Sequence, residues 1–170
     1  TCTAMDKDGV ILGNGQKIPA DMVLLSIGVR PDTAFLKDSG IEMGARGEIL
    51  VNEYMETSAA DVYALGDAVS TFHVVSGAKV VIPLASPANK QGRIVGDNLS
   101  GRRTAYKGSQ GTSIMKFFDM TVAVTGEKEE SLKAQGRAYR KAITTSASHA
   151  GYYPGGGMMT VKTLFDPETG

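Results

Sequence analysis

The sequence predicts an α/β region followed by an α+β region, and three observations lead to that fold class. Residues 22–27 form an apolar run that does not alternate and stops at a glycine, which is typical of a strand buried on both faces. Residues 86–99 are predicted to form a helix, because Ser86 can cap it and Pro87 lies in its first turn. Beyond a boundary at residues 100–103, strand-like segments surround one short helix.

The α/β region opens with a predicted β-meander. Asp8-Gly9 and Asn14-Gly15 are tight-turn dipeptides that separate short strand-like segments within residues 4–18. Further elements are predicted in chain order: a buried strand at 21–27, a short helix at 33–39 closed by Gly40, a half-exposed strand at 48–52, a buried strand at 62–65 and the helix at 86–99. Gly92 and Gly96 lie on one face of that helix, so we expect a helix or a ligand to pack closely against them.

The α+β region is predicted from apolar and alternating segments on either side of a short helix. Strands are expected at 113–118, 120–124, 138–145 and 159–165, and the helix at 127–134, ended by Gly136. Phe117, Phe118 and Met120 are expected to be core and interface residues.

Composition excludes several classes of protein. Among the 170 residues, 18 Lys plus Arg balance 18 Asp plus Glu, so no strong overall field attracts nucleic acid or an anionic membrane. The longest apolar runs are far too short to span a bilayer, and we expect a soluble, cytoplasmic protein. The single cysteine, Cys2, excludes an intrachain disulfide and is compatible with a reducing compartment. Since the first residue is not Met and residues 166–170 form a turn signal with no strand after it, we expect a piece of a longer protein.

The dipeptide Gly66-Asp67 follows the predicted strand at 62–65, at the sheet edge where α/β proteins bind ligands. Two interpretations are open. Asp67 can stabilise a turn, or its carboxylate can accept hydrogen bonds from ligand hydroxyls beside a glycine that lets the ligand approach. The dipeptide alone favours the turn.

A second candidate segment runs from His149 to Gly155 and contains the adjacent residues Tyr152 and Tyr153. In an extended backbone the two tyrosines would point to opposite sides, one to the core and one to the surface. From the residues alone we expect a packed loop in which His149 is a structural hydrogen-bonding residue. No metal-ligand spacing surrounds it.

Three ordered motifs give the chain a family resemblance. The segment TSAADVYALGD (57–67) resembles the second FAD-binding signature of the pyridine nucleotide-disulfide oxidoreductases. GVRPD (28–32) resembles the crossover from the nicotinamide domain to the flavin domain, and IPLASPANKQGR (82–93) resembles the segment whose backbone approaches the flavin. The resemblance implies FAD and NAD(P)H as cofactors. It further implies that Asp67, beside Gly66 and Ala68, binds the ribitol of FAD, and that Leu84 and Ala85 face the isoalloxazine.

The segment HAGYYPG (149–155) is similar to a His-x-x-Tyr-Tyr-Pro-Gly motif in the dimerisation domain of coenzyme A-disulfide reductases and the related coenzyme A-dependent NADH oxidases and persulfide reductases. That similarity implies a homodimer in which Tyr152 or Tyr153 of one subunit assists catalysis at the flavin and cysteine site of the other. A phenol suits this role because it can donate a proton to a developing thiolate.

The resemblance divides the chain into three parts: the end of an NAD(P)H-binding domain (1–27), the returning part of a FAD-binding domain (28–106) and a truncated dimerisation domain (107–170). The Gly-x-Gly-x-x-Gly turn for the FAD pyrophosphate does not occur in the sequence, and Cys2 lies in the wrong region to be the redox-active cysteine. The nucleophilic cysteine is therefore expected outside this chain, as is the residue that distinguishes NADH from NADPH.

The function implied by the resemblance is reduction of a disulfide or persulfide by a flavin-dependent NAD(P)H oxidoreductase, with coenzyme A disulfide as the expected substrate. An NADH oxidase or peroxidase of the same superfamily is one alternative. For the chain by itself, a non-catalytic dimerisation module without flavin is another. A small molecule is the expected substrate, and neither nucleic acid nor a membrane is expected as a partner.

Overall fold

A computed structural model describes all residues from 1 to 170, and the chain divides into two compact units, Thr1–Arg30 and Pro31–Gly170. Ten strands, two α-helices and two short 3-10 turns are present, so the predicted mixture of helices and strands is confirmed. None of the helices has both the length and the apolar character required to span a bilayer.

The first unit is an antiparallel β-meander, as predicted. Its strands β1 (Cys2–Asp6), β2 (Gly9–Leu12) and β3 (Lys17–Pro19) pair in chain order. The Lys17 ammonium lies 2.8 Å from the Asp6 carboxylate and donates a hydrogen bond to it. This contact joins β3 to the end of β1 across the meander.

The predicted buried strand at 21–27 is wrong for this chain. Residues 21–30 contain no strand, and Met22, Leu24 and Ile27 are 87%, 86% and 91% exposed. A strand needs a neighbouring strand to form hydrogen bonds with, and a strand buried on both faces also needs other elements packed against each face of its sheet. No strand of this chain pairs with residues 21–30, so their apolar side chains stay uncovered.

The second unit begins around a small mixed sheet with the order β4-β5-β6. Strand β4 (Ile49–Leu50) pairs in parallel with β5 (Val69–Phe72), which pairs antiparallel with β6 (Lys79–Val81). Strand β4 falls inside the predicted strand at 48–52, whereas β5 and β6 were missed. Both are short polar-apolar mixtures without the periodicity that identifies a strand in sequence.

Helix α1 (Ala85–Leu99) confirms the predicted helix at 86–99. The predicted cap is wrong, because the helix begins one residue before Ser86 and its N-cap residue is Leu84, which has no capping side chain. Its buried residues are Pro87, Gln91 and Val95, four residues apart and therefore on one face of the helix. Val95 joins a hydrophobic core with Ile49, Val51, Met55, Val69 and Tyr106. The helix thus packs against the residues that carry the small sheet.

The predicted strand at 62–65 is not a regular strand. Only Tyr63 pairs, through an isolated bridge with Glu56, and the chain then enters a 3-10 turn at Gly66–Ala68. The Gly66-Asp67 dipeptide therefore precedes strand β5 instead of ending a buried strand. In the same unit the predicted helix at 33–39 is reduced to a 3-10 turn at Ala34–Leu36.

The C-terminal part of the second unit has two antiparallel hairpins and one short helix, with boundaries within two residues of those predicted. The elements are β7 (Ser113–Phe117), β8 (Met120–Val124), α2 (Glu129–Ala134), β9 (Arg140–Ala147) and β10 (Met158–Phe165). Within this chain Phe117, Phe118 and Met120 are exposed and do not belong to the core, because they lie at the turn end of the β7–β8 hairpin, where no other element covers them.

A contact between the side chains of His73 and Glu127 connects the small sheet to this C-terminal part. His73, directly after β5, has Nδ1 3.4 Å from an oxygen of Glu127, two residues before α2. The His73 backbone also forms an isolated parallel bridge with Ser109. These contacts explain why the second unit is one compact body.

The carboxylate of Glu129 organises α2 and the β9–β10 hairpin. Tyr139 donates a hydrogen bond of 2.7 Å to its Oε1, with Lys133 and Lys141 at 3.3 and 3.4 Å, and Lys162 contacts its Oε2. The hydrogen bond from Lys162, followed by those from Tyr139 and Lys133, holds the pKa of Glu129 far below its ordinary range. One side chain thus connects α2 with both strands of the hairpin.

We expect Glu129→Gln to lower the midpoint temperature of thermal unfolding at pH 7. Because the folded-state pKa of Glu129 lies below its ordinary value of 4.5, its stabilisation is complete above that pH and is lost as the pH falls towards the folded pKa. The difference from wild type should shrink in acid, measured by circular dichroism. Glu130→Gln is the matched control, since Glu130 is exposed and has no salt bridge; an equal effect there would contradict the prediction.

Candidate functional site

The Gly66–Ala68 turn is a sharp change of direction between an extended residue and strand β5. Leu65 has φ −153°, and Gly66 has φ +83°, in the left-handed region. A side chain at such a φ costs about 1–2 kcal/mol for most residues. The backbone conformation, and not lack of space, therefore requires glycine here, because a Cβ on Gly66 would meet its nearest atom, Ala88 Cβ, at an ordinary 3.8 Å.

Helix α1 lies directly against this turn and holds it by one side chain. The backbone N–H of Gly66 donates a hydrogen bond of 2.7 Å to Oε1 of Gln91, whose side chain is almost completely buried. Ala88, one turn earlier on the helix, would be the residue nearest to a side chain placed on Gly66. The turn is thus positioned by α1 as well as by its own chain neighbours.

Asp67 does not behave as a turn-stabilising residue. Its carboxylate is exposed and forms no side-chain hydrogen bond and no salt bridge. By contrast, Asp6 accepts a bond from the N–H two residues on, and Asp166 accepts two such bonds from its own turn. Those backbone bonds contribute to lowering the pKa of Asp166. Asp67 is therefore a free acceptor in the middle of a turn that helix α1 holds in place, which favours the ligand interpretation.

The N-terminus of α1 adds hydrogen-bond donors to the same region. Leu84 is the extended, half-buried residue before the helix and Ala85 is its exposed first residue. No side chain caps this end of the helix. First-turn N–H groups without a cap can donate to a carbonyl or anionic oxygen. The region around Gly66 therefore combines a carboxylate acceptor with backbone donors.

The second candidate site is the loop between β9 and β10, and its tyrosines do not point to opposite sides as an extended backbone would require. Tyr152 and Tyr153 are 83% and 60% exposed, and their ring centroids lie 4.8 Å apart. The reason is that residues 151–155 form turns and not a strand. Neither hydroxyl forms a hydrogen bond within the chain.

His149 organises this loop, as expected of a structural hydrogen-bonding residue. Its Nε2 lies 3.3 Å from the carbonyl oxygen of Tyr153, and its Nδ1 lies 3.1 Å from the Ser148 hydroxyl. The rings of His149 and Tyr153 pack edge to face, with their centroids 6.2 Å apart. No hydrogen bond joins this loop to the Gly66–Ala68 turn, so the chain presents two separate candidate sites.

The remaining reactive groups form no further centre. Cys2 is exposed at the start of β1, where its thiol lies 3.5 Å from the carbonyl oxygen of Ala4. No group of three or more His, Cys, Asp or Glu side chains is arranged to hold a metal ion.

Comparison with protein families gives a match over the part of the chain that contains the Gly66–Ala68 turn. The family model of the pyridine nucleotide-disulphide oxidoreductases matches residues 1–92. The chain belongs to this family. The resemblance inferred from the sequence motifs is therefore confirmed.

Individual oxidoreductases extend the match to nearly the whole chain. The NAD(P)H sulfur oxidoreductase (CoA-dependent) of Pyrococcus furiosus is 37% identical over 159 residues, which are 94% of this chain and 36% of that protein. The NADH oxidase of Enterococcus faecalis is 42% identical over 126 residues, 74% of this chain and 28% of that protein. The solved structure of an NAD-dependent persulfide reductase from A. fulgidus has a TM-score of 0.89 at 36% identity, covering 97% of this chain and 31% of that one. The chain spans about a third of the length of the curated relatives it matches.

Gln91 is the site residue that sequence reasoning missed in this oxidoreductase chain. The sequence predicts helix α1, but the charged residues and the two glycines of that helix are more conspicuous than Gln91. A signal was available, because Gln91 lies midway between the apolar residues Pro87 and Val95 at four-residue spacing, the position of a buried residue. The expected close packing at Gly92 and Gly96 is not found within the chain, since a Cβ on either would meet no atom within 4 Å.

We expect Gly66→Ala to lower the free energy of unfolding of the chain by about 1–2 kcal/mol, because alanine resists the left-handed conformation. Gly92→Ala is the matched control. It places the same methyl group in open space on a helix, where we expect a gain of about 0.5–1 kcal/mol. Urea unfolding followed by circular dichroism measures both changes. Equal effects at the two positions would show that the turn conformation has no special requirement.

Proposed function

We propose that this chain functions within a flavin-dependent NAD(P)H oxidoreductase that reduces a disulfide or persulfide of coenzyme A. The observation that carries the proposal is the free Asp67 carboxylate on a rigid glycine turn, inside the segment matched by the family model. The relatives described as a coenzyme A-dependent sulfur oxidoreductase and a persulfide reductase support the choice of acceptor.

The residues around Gly66 fit the ribitol and ring of FAD. An unpaired carboxylate suits ribitol hydroxyls, and uncapped helix N–H groups suit a heterocyclic carbonyl. We assign Asp67 to the ribitol, with Gly66 and Ala68 beside it, and Leu84 and Ala85 to the isoalloxazine. When bound, FAD supplies a ring that accepts a hydride from NAD(P)H and passes electrons to sulfur. The turn and the helix terminus bind that group and orient it.

The domain assignment follows the same proposal: residues 1–27 end an NAD(P)H-binding domain, residues 28–106 belong to a FAD-binding domain and residues 107–170 to a dimerisation domain. Exposed apolar side chains on both C-terminal hairpins support a homodimer, because monomers rarely leave such groups uncovered together. They include Ile114, Met115, Phe117, Phe118, Met120, Ile143, Met158 and Met159. The lone cysteine is consistent with a cytoplasmic location.

Within such a dimer, we assign Tyr152 or Tyr153 to the site of the partner subunit. Their hydroxyls are exposed and unpaired, so each is free to donate a proton to a thiolate that leaves the disulfide. The cysteine that attacks the substrate would come from a part of the protein outside residues 1–170.

A second function is favoured by one observation, the 42% identity to an NADH oxidase. The two functions share the flavin site and differ in the electron acceptor. Steady-state assays with coenzyme A disulfide and with oxygen, under the same NADH concentration, separate them. Rapid NADH consumption with oxygen as acceptor, and slow consumption with coenzyme A disulfide, would favour the oxidase.

For the flavin assignment we expect Asp67→Ala to weaken FAD binding roughly 10- to 150-fold, the usual effect of losing a hydrogen bond to a charged group. Titration of the apoprotein with FAD, followed by flavin fluorescence, measures the dissociation constant. Asp38→Ala is the matched control, because Asp38 is another exposed, unpaired carboxylate of the same unit. Unchanged affinity in Asp67→Ala would remove the ribitol role. If the chain takes up no FAD even as wild type, the isolated chain is the non-catalytic module.

For the tyrosines we expect Tyr152→Phe or Tyr153→Phe, made singly in the complete enzyme, to slow disulfide turnover by at least about 100-fold, because general acid catalysis is lost. FAD content should stay at the wild-type level in both variants. Tyr54→Phe serves as the control, since the Tyr54 ring stacks on Arg103 at 3.8 Å and its hydroxyl has no hydrogen bond. Wild-type rates in both loop variants would exclude the assignment.

A further inference from the structure

Gln91 is a polar residue in a position where α1 otherwise buries apolar side chains. It lies between Pro87 and Val95 on the buried face, and only 2% of it is exposed. A buried carboxamide is unfavourable unless its polar atoms find partners. Its presence at this point therefore needs a reason beyond core packing.

One partner of Gln91 is the glycine turn. Its Oε1 accepts the hydrogen bond from Gly66 N–H, which makes no backbone hydrogen bond. Gly66 holds a left-handed conformation that glycine adopts without strain. Because a glycine backbone is also free to adopt many other conformations, a contact such as this one is needed to hold the turn in a single geometry. Without the Gln91 acceptor, the N–H would lose its partner at the point where the backbone turns.

The other neighbour of Gln91 is the buried hydroxyl of Tyr106. This hydroxyl lies beside the side chains of Gln91 and Ser109 but completes no hydrogen bond. Burial raises the pKa of Tyr106 and keeps its hydroxyl protonated. The backbone of Tyr106 is itself fixed, since its N–H donates to the Glu53 carbonyl at 2.7 Å. Gln91 is therefore confined between a fixed tyrosine and the glycine turn.

The same helix carries both parts of the proposed flavin site. Leu84 and Ala85 form its N-terminal end, and Gln91 lies less than two turns further on. The hydrogen bond from the Gly66 N–H to Gln91 Oε1 therefore sets the position of Asp67 relative to the helix terminus. Any ligand that spans the carboxylate and the terminus depends on that spacing.

We propose that Gln91 is a positioning residue for FAD: its buried carboxamide joins the Gly66–Ala68 turn to α1, so that Asp67 and the helix N-terminus bind one flavin as a single rigid element. The proposal rests on the proposed flavin site and adds to it a residue that does not touch the cofactor.

The decisive variant is Gln91→Leu, which keeps the side-chain volume and removes the acceptor. We expect it to weaken FAD binding about tenfold in the complete protein, measured by titration of the apoprotein. Gln91→Glu keeps an acceptor oxygen at the same reach and should restore most of the affinity. Val95→Ala is the matched control on the same buried face. It should lower the melting temperature while leaving the FAD dissociation constant unchanged.

A double-mutant cycle tests whether Gln91 acts through Asp67. In the Asp67→Ala background, Gln91→Leu should weaken FAD binding by much less than tenfold, because the carboxylate that it positions is gone. A full tenfold effect in that background would overturn the proposal, as would wild-type affinity in Gln91→Leu by itself. Unchanged affinity in Asp67→Ala is a different failure, which removes the ribitol assignment instead.

Amide hydrogen exchange gives a readout that needs no flavin. In the apoprotein the N–H of Gly66 should exchange faster in Gln91→Leu than in Val95→Ala. Equal exchange rates would contradict the positioning role. If Gln91→Leu does not fold, Gln91→Asn replaces it. The asparagine side chain is one methylene shorter, so its carbonyl oxygen lies farther from the Gly66 N–H. We expect faster exchange of that N–H and weaker FAD binding.

Discussion

The second unit depends on the packing of the buried face of helix α1. Val95 packs into the core with the residues of β4 and β5, and Gln91 holds the turn that leads into β5. Near the C-terminal end of the helix, Asn98 donates to the carbonyls of Tyr54 and Thr104 at 2.9 and 3.0 Å. The helix is thus tied at three points to segments on both sides of it in sequence. Its position determines where the loops around it can lie.

The dependence on α1 explains how a free carboxylate can be held rigidly. Asp67 has no partner of its own, so its position is set by the backbone of the turn. That backbone is fixed by the left-handed conformation of Gly66 and by the Gln91 acceptor beneath it. The Asp67 carboxylate is therefore left without a partner, while Gln91, which supports its turn, is buried and hydrogen-bonded. A preorganised site requires that division of roles.

The C-terminal hairpins are stabilised in a different way. Strands β9 and β10 pair over eight residues each, yet nearly all their side chains are exposed. The contacts of Lys141 and Lys162 with the Glu129 carboxylate on α2 therefore supply much of the tertiary contact. Two-stranded hairpins have little stability without a covered face. The proposed dimer would provide that cover, and it would place the adjacent rings of Tyr152 and Tyr153 against a second subunit.

Elements governed by local signals were predicted well from the sequence. The meander, α1 and the two C-terminal hairpins depend on turn glycines, a proline in the first helical turn and short-range periodicity, all of which act within a few residues. The motifs around Gly66 and Asp67 are also sufficient to identify the oxidoreductase family. The strands at 21–27 and 62–65 failed because an apolar run becomes a buried strand only where neighbouring strands pair with it, and pairing is not a local property.

The sequence by itself therefore determined the family, the order of most elements and the identity of the candidate binding residues. Only the tertiary structure decided that the Asp67 carboxylate forms no hydrogen bond within its own turn, that the rings of Tyr152 and Tyr153 lie side by side and exposed, and that Gln91 supports Gly66. The last contact joins residues 25 positions apart. A hydrogen bond between residues so far apart in sequence depends on how a helix packs against a turn, and no local pattern of residue types predicts that packing.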